Sequence, residues 1–250
     1  MNQPYRWLAR YYDQLFQPFR TPIDAARESA LRSILPRVHT ACDLACGTGT
    51  TALMLARQGI RVYGVDLSAQ MCRLTRDKAK AARLPIGVIR ADMRSLRLPE
   101  PVDLALCEFD AVNHVPQKAD LRKVAKSVWR ALRPGGFFCF DVNTSRAFRE
   151  YWRGNFWIER PGLAVVMRNG HNDECDHAWC DIELFVREGK FWKRHRERID
   201  EVCWTSTEIR KIFQGAGFDR LRARDAAAFS KDMRMARGCR TIYLARKPAK

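Results

Sequence analysis

A chain of 250 residues with 46% apolar and 29% charged side chains can bury one large core, or one core with a modest appendage, and reads as an ordinary soluble globular protein. No apolar run approaches the roughly 20 residues of a membrane span, and the amino terminus lacks the apolar core of a signal peptide; the cytoplasm is the expected compartment. The net charge of +17 favours polyanionic partners, with RNA among them, or a generally Arg-rich surface. Its excess is strongest from Lys190 onward, yet it forms no consecutive basic run and no aromatic-basic interleaving.

Two helices are predicted first, from Tyr5 to about Phe16 and from about Ile23 to Leu35, punctuated by Pro18, Pro22 and Pro36. Strands and helices then alternate. A strand near Thr40–Ala45 leads to a helix near Thr50–Gln58, which Gly59 ends. A strand near Arg61–Asp66 leads to a helix at about Ala69–Arg83, with Ser68 as N-cap. Strands follow near Ile86–Ala91 and Val102–Cys107. A helix at about Lys118–Leu132 stops at Arg133-Pro134-Gly135-Gly136, before a strand near Phe137–Val142. This alternation implies a parallel sheet with right-handed crossovers, covered on both faces. Several of the nine cysteines (Cys42, Cys107, Cys139) fall in these strands and read as core thiols.

After Asn143 the texture changes. Runs at Leu163–Arg168, Trp179–Arg187 and Lys190–Ile199 read as antiparallel strands, the last two joined by a tight turn at Glu188-Gly189. Residues 151–204 thus form a β insertion. Trp152, Trp157, Trp179 and Trp192 crowd it, either as the core of a small β-layer or as a wall over a substrate. His171, Cys175, His177 and Cys180 match no common zinc module, and no metal is expected. A helix returns at about Ser206–Gln214. Strands at about Phe218–Ala226 and Arg240–Arg246 close the chain, with a loop at Ala227–Gly238 between them.

The most informative stretch is Asp43-Leu44-Ala45-Cys46-Gly47-Thr48-Gly49, which follows the first strand, with Asp66 ending the second. Strand, glycine turn, helix, strand, acid is the layout of a nucleotide-cofactor site. Asp43 beneath the turn would repel a pyrophosphate and suits a cationic ligand. Asp92 ends the third strand, where a carboxylate can accept from an adenine amino group while the Met93 backbone N–H donates to the ring. No clear second mononucleotide half follows. These features argue against a dinucleotide.

The chain resembles the class I S-adenosylmethionine-dependent methyltransferases. Asp43–Gly49 is similar to that family's first motif, Asp66 to its ribose-binding acid, Asp92-Met93 to its adenine-contacting pair, and Arg133-Pro134-Gly135-Gly136 to the turn before strand five. Ala45 stands where the usual pattern has its first glycine. The closer resemblance is to a bacterial subgroup with a β-rich insertion after strand five. That subgroup carries a Tyr-Asp pair in the first helix (Tyr12-Asp13 here) and a Phe-Asp-Ser-x-Asn-Tyr-like stretch after strand four (Phe109-Asp110-Ala111-Val112-Asn113-His114 here). The resemblance implies a Rossmann-like, seven-stranded sheet of order 3-2-1-4-5-7-6 with the last strand antiparallel, in one domain over residues 1–250. N-terminal helices (1–36) would cover the cofactor site, and the insertion would form a substrate lid.

S-adenosylmethionine is the implied cofactor. The implied set around it is Tyr5, Tyr12, Asp43, Ala45, Gly47, Gly49, Asp66, Leu67, Met71, Asp92, Met93 and Cys107. Methyl transfer is direct displacement and needs mainly alignment, so few catalytic residues are expected. Phe109 is a candidate pocket wall. His114 is the histidine at this edge whose titration range suits a proton acceptor, with Glu108 able to help. A small-molecule nitrogen or oxygen acceptor is the leading expectation and RNA the alternative. Cys107-Glu108-Phe109-Asp110 stands where many base-amine methyltransferases have Asn/Asp-Pro-Pro-Tyr/Phe, which disfavours nucleobase amines. A monomer or homodimer fits.

Overall fold

The computed structural model describes residues 5–174, 177–229 and 236–249. A short 3-10 turn (Leu8–Tyr11) enters one continuous helix, α1 (Tyr12–Leu31), rather than two. Pro18 and Pro22 lie inside it. An interior proline removes a backbone donor. Here α1 still buries Leu15 against the second sheet and Ile23, Ala26 and Leu31 against the main one, and such packing stabilises a helix more than propensity does.

The alternating part runs β1 (Thr40–Leu44), α2 (Thr50–Arg57), β2 (Arg61–Asp66), α3 (Ala69–Ala81), β3 (Ile86–Arg90), β4 (Val102–Cys107), α4 (Lys118–Ala131), β5 (Leu132–Asn143) and α5 (Ser145–Tyr151). Four strands follow: β6 (Gly154–Arg160), β7 (Leu163–Asn172), β8 (His177–Glu188) and β9 (Phe191–Val202). The chain then adds α6 (Ser206–Gly215), β10 (Arg220–Asp225) and β11 (Arg240–Arg246). The main sheet has seven strands in the order β10-β11-β5-β4-β1-β2-β3. Strands β1 to β5 pair in parallel, and β11 runs antiparallel to both its neighbours. This is the Rossmann-like order the sequence implied, with the final strand reversed.

Alternation along each strand feeds two cores. Phe138, Phe140 and Val142 of β5 face one that holds Leu121, Val124 and Val128 of α4 and Phe213 of α6. Cys139 faces the other, with Leu104 and Leu106 of β4, Leu55 of α2 and Ile23 and Ala26 of α1. The expected turn at Arg133–Gly136 lies inside β5, where the register against β4 shifts between Val102 and Leu104. Seven of the described cysteines are buried thiols in no disulfide.

The second sheet, β6-β7-β8-β9, is antiparallel throughout. The predicted hairpin joins β8 to β9, with Glu188 opposite Phe191. One face, carrying Leu163, Val165, Met167, Ile182 and Leu184, packs on Leu8 and Leu15 of the N-terminal segment. Neither α5 nor β6 was read from the sequence; β6 buries none of its seven residues fully, so it offers no alternation to read. The tryptophans do not make a common core. Trp157 is 64% and Trp192 is 53% exposed, Trp152 packs at the edge of the cluster under the sheet, and Trp179 stacks on His177. The expected loop at Ala227–Gly238 falls partly on residues 230–235, outside the described residues; Ala226–Ala228 form a 3-10 turn. No helix among the described residues is long and apolar enough to cross a membrane.

Candidate active site

Parallel strands deliver their carboxyl ends to one edge, where α/β sheets bind ligands. A cavity of about 640 Å³ opens there, within the range of small-molecule sites. Its walls come from the loop after β1, the ends of β2 to β4, α1 and β9.

The loop after β1 is built from left-handed backbone. Ala45, Gly47 and Gly49 have φ of 55°, 56° and 82°. For Ala45 this matters: alanine in the first-glycine slot is small enough in volume, but an L-residue there carries a cost of about 1 kcal/mol. The loop is then pinned. The Gly47 N–H donates to Asp66 Oδ2 at 2.9 Å, the Thr75 hydroxyl donates to the Gly47 carbonyl at 2.9 Å, and the Thr48 hydroxyl donates to Asp13 Oδ1 at 2.5 Å. Lys78 of α3 also pairs with Asp13. The Tyr12-Asp13 pair therefore divides its work: Tyr12 lines the cavity, while Asp13 ties α1 to the loop.

Most of the predicted cofactor set lines the cavity: Tyr5, Tyr12, Asp43, Ala45, Gly47, Asp66, Leu67, Met71, Asp92 and Met93. Two residues do not. Gly49 packs against α3, where an added Cβ would meet Thr75 Cγ2 at 2.6 Å. Cys107 is fully buried and turned into the core under α4, so strand parity gives the cavity to Glu108 instead. Asp43 accepts from the Ala52 N–H at 2.9 Å; burial, with Glu108 adding repulsion, pushes its carboxyl up to about 7. Asp66 also accepts from the Ser68 N–H at 2.8 Å, and burial raises it above the ordinary carboxylate range. Each of its oxygens keeps a free acceptor site. Both oxygens of Asp92 are gripped by Arg94, which holds that carboxyl below its usual range.

The far end of the cavity holds both catalytic candidates, Phe109 and His114. His114 Nδ1 lies 3.2 Å from the Asp200 carbonyl, and Nε2 lies 3.2 Å from the Tyr5 hydroxyl. A carbonyl only accepts, so Nδ1 carries the proton and the Nε2 lone pair receives the Tyr5 O–H. Burial lowers the imidazole pKa, so the ring is neutral at pH 7. Behind it, Glu201 and Asp110 face each other and titrate in opposite directions. Burial and then Asp110 raise Glu201 well above its usual range; burial opposes ionisation of Asp110, but Arg240 outweighs it and keeps Asp110 charged. Ligand atoms of Asp110, His114 and Glu201 come within 4.8 Å of one another, and Arg240 pairs with Asp110 and with the neighbouring Asp141. Of the four residues weighed as a zinc set, Cys175 lies outside the described residues, Cys180 is buried under the second sheet and His177 Nε2 is 3.0 Å from Asp200 Oδ1.

Several site residues escaped the sequence reading. Arg20 of α1 lines the cavity, its Nε 3.5 Å from Asp24 Oδ2 and one terminal nitrogen donating to Thr51. Glu108, read from the sequence as a helper to His114, instead accepts from Thr51 at 2.7 Å and Arg27 at 3.0 Å. Arg198, Ile199 and Asp200 bring β9 into the wall. Asn113 donates to the Asn143 and Val202 carbonyls and so clasps the two sheets together. The acids at the strand ends, the hydroxyl-accepting Asp66 and the cationic Arg20 form a donor and acceptor set that fits an adenosyl group with an amino-acid tail.

Residues 41–136 match the model of a methyltransferase domain. The chain is 26% identical over 216 residues to a Bacillus subtilis protein whose name marks it as a methyltransferase, covering 86% of each. It is also similar to the crystal structure of an S-adenosylmethionine-dependent methyltransferase from Clostridium acetobutylicum, at 25% identity and a TM-score of 0.79, covering 98% of this chain and 99% of that one. A sugar N-methyltransferase from a Streptoalloteichus species shares the fold at 19% identity and a TM-score of 0.75, covering 95% of this chain and 92% of its own.

Proposed function

We propose that this chain, which belongs to the class I S-adenosylmethionine-dependent methyltransferases, moves a methyl group to a nitrogen or oxygen of a small-molecule acceptor. The observation that carries the reading is the walled cavity, lined by Tyr5 and Tyr12 of the N-terminal segment and first helix and by Arg198, Ile199 and Asp200 of β9. S-adenosylmethionine supplies a methyl group activated on a sulfonium when bound. Asp66 accepts from ribose hydroxyls with its free acceptor sites. Leu67, Met71 and Met93 enclose the adenine beside Asp92. Arg20, anchored by Asp24 and Thr51 at the cavity wall, would take the carboxylate of the amino-acid tail, and Asp43, ionised once a cation lies beside it, would favour the cationic part. The first helix and N-terminal segment act as the cover, and the second sheet as the acceptor's wall.

At the acceptor end, Phe109 packs one side, and the neutral His114 takes the acceptor's proton through the Tyr5 hydroxyl it already holds. A sugar N-methyltransferase with the same fold supports an amine of this size. The free, buried cysteines support a reducing compartment such as the cytoplasm. The test is S-adenosylhomocysteine formation by purified protein with a panel of amino sugars, their nucleotide conjugates and small hydroxylated acids. Turnover with one of them and none with bulk tRNA is expected; turnover with tRNA alone refutes it.

One observation favours RNA as a second reading. A more open trough of about 990 Å³, lined by Arg61, Arg76, Lys80 and Arg133, lies at the opposite, amino-terminal ends of β1 to β3. Part of this charge is neutralised, since Arg61 pairs with Glu100 and Arg133 with Glu100 and Asp103; so is much of the basic excess on β9, where Arg194 and Arg196 pair with Glu183, and Arg198 with Asp181 and Asp200. Binding to tRNA that weakens steeply with salt would favour this reading.

A further inference from the structure

The strand-four stretch that flanks the acceptor end has a backbone that does not hold itself. Phe109 and Asp110 have φ of 58° and 56° in succession. Left-handed backbone is uncommon away from glycine and an outlier for a bulky side chain. Such conformations persist where the surroundings over-determine them, and they gather at functional sites.

The surroundings here are specific. Asp141, at the end of β5 and 3% exposed, receives the Phe109 N–H on Oδ1 at 2.8 Å and the Asp110 N–H on Oδ2 at 3.1 Å. One carboxylate thus reads two successive left-handed amides. Arg240, the first residue of β11, then bridges outward. One guanidinium nitrogen donates to Asp141 and the other to Asp110 Oδ1 at 2.9 Å. The Arg240 guanidinium also lies 5.6 Å from the centre of the Phe109 ring, with that of Arg20 at 6.0 Å, both within cation–π reach. Tyr12 and Phe16 meet the same ring edge-on at 6.4 Å. The turn flows directly into the short helix Ala111–His114. Phe109 and His114 line the cavity, whereas Asp141 and Arg240 do not.

We propose that Arg240 and Asp141 are positioning residues of the acceptor chamber: together they lock the Phe109-Asp110 turn and thereby set the Phe109 ring and the His114 side chain against the reacting methyl group. This rests on the small-molecule reading only in calling the chamber the acceptor's; the lock itself does not depend on which acceptor binds. A guanidinium is required because two carboxylates must be bridged by one planar, forked donor; lysine offers a single point charge.

The test places 4-fluorophenylalanine at position 109 of the full chain and follows its fluorine resonance with S-adenosylhomocysteine bound. Arg240→Lys and Arg240→Met are compared with the parent, and cofactor-product affinity is measured by calorimetry. The parent gives one sharp line. In both variants that line shifts or splits, while S-adenosylhomocysteine affinity stays within about threefold, because the glycine loop and Asp66 are held by other contacts. Once an acceptor is in hand, turnover falls about tenfold to a hundredfold at a temperature where Arg240→Lys is fully folded. If Arg240→Met fails to fold, Arg240→Lys decides. An unshifted single line in a folded variant overturns the lock. The fluorine line and the calorimetry need no acceptor, so failure of the small-molecule reading leaves this result standing and is told apart from it.

Discussion

Gly47 and Gly49 are two residues apart in one motif, yet they face different tasks, and alanine at each separates them. An alanine Cβ at Gly49 would sit 2.6 Å from Thr75 Cγ2 and 2.9 Å from its Oγ1, at a φ of +82°. Thr75 is fully buried and donates to the Gly47 carbonyl, so it has little room to yield. Left-handed alanine costs about 1 kcal/mol and overpacking about 1–3 kcal/mol, so Gly49→Ala loses about 2–4 kcal/mol. For a chain of this length that lowers the melting temperature by about 5–15 °C. Gly47→Ala, at φ +56°, has nothing within 4 Å of its Cβ and loses only the backbone share, about 1 kcal/mol. Gly47 lines the cavity, so its alanine loses S-adenosylhomocysteine affinity about tenfold, or about 1.4 kcal/mol. Urea unfolding without ligand and calorimetric titration of each variant give the two quantities. Thr75→Ser removes the closest contact and recovers part of the Gly49→Ala loss, which a double-mutant cycle reads as coupling. Equal stability losses at both glycines, or no coupling to Thr75, refute the assignment.

Asp43 holds its proton to about pH 7 when folded but releases it near 4 when unfolded. The native state therefore binds the extra proton between these values, and stability falls as pH rises from about 4 to about 7; in Asp43→Asn, this slope in the denaturation midpoint is lost. Asp13→Asn cuts a half-exposed pair worth about 0.5–1 kcal/mol, so it leaves the melting temperature nearly unchanged while S-adenosylhomocysteine dissociates several-fold faster in stopped flow; unchanged dissociation would mean that Asp13 does not hold the cover. His114→Ala lowers turnover about a hundredfold at pH 7 with affinity for S-adenosylhomocysteine preserved, and full turnover at pH 7 removes His114 from proton transfer.

What could be read in advance follows from how far a signal travels along the chain. The strand ends, the glycine loop, Asp66 and Asp92 each sit inside one βαβ period, so hydrophobic spacing alone brought them to one edge. Orientation needed more. Cys107 and Glu108 are adjacent, and only strand parity against β5, with Cys107 opposite Phe140, turns the thiol to the core and the acid to the cavity. Gly49 fits the fingerprint by spacing, but its reason for being glycine is Thr75, a helix away. The proline-containing α1 was misread because proline acts locally, while the buried face that sustains the helix is assembled only by the fold.

The remainder of the site depends on contacts that no window of sequence contains. Tyr5 meets His114, Asp13 meets Thr48, and Arg240 meets Asp110 across 109, 35 and 130 residues. All three connect a cavity element to something outside the alternating core: the N-terminal segment in the first two, the last strand in the third. The cofactor half of the cavity is thus specified by the local grammar of a strand, a turn and a helix. The half we assign to the acceptor rests on the tertiary joining of the first helix, β9 and β11. That division explains why the motifs declare the cofactor and stay silent on the acceptor. Cofactor recognition repeats a local solution, whereas the acceptor chamber depends on residues such as Ile199 and Asp200 whose position exists only after the second sheet has docked.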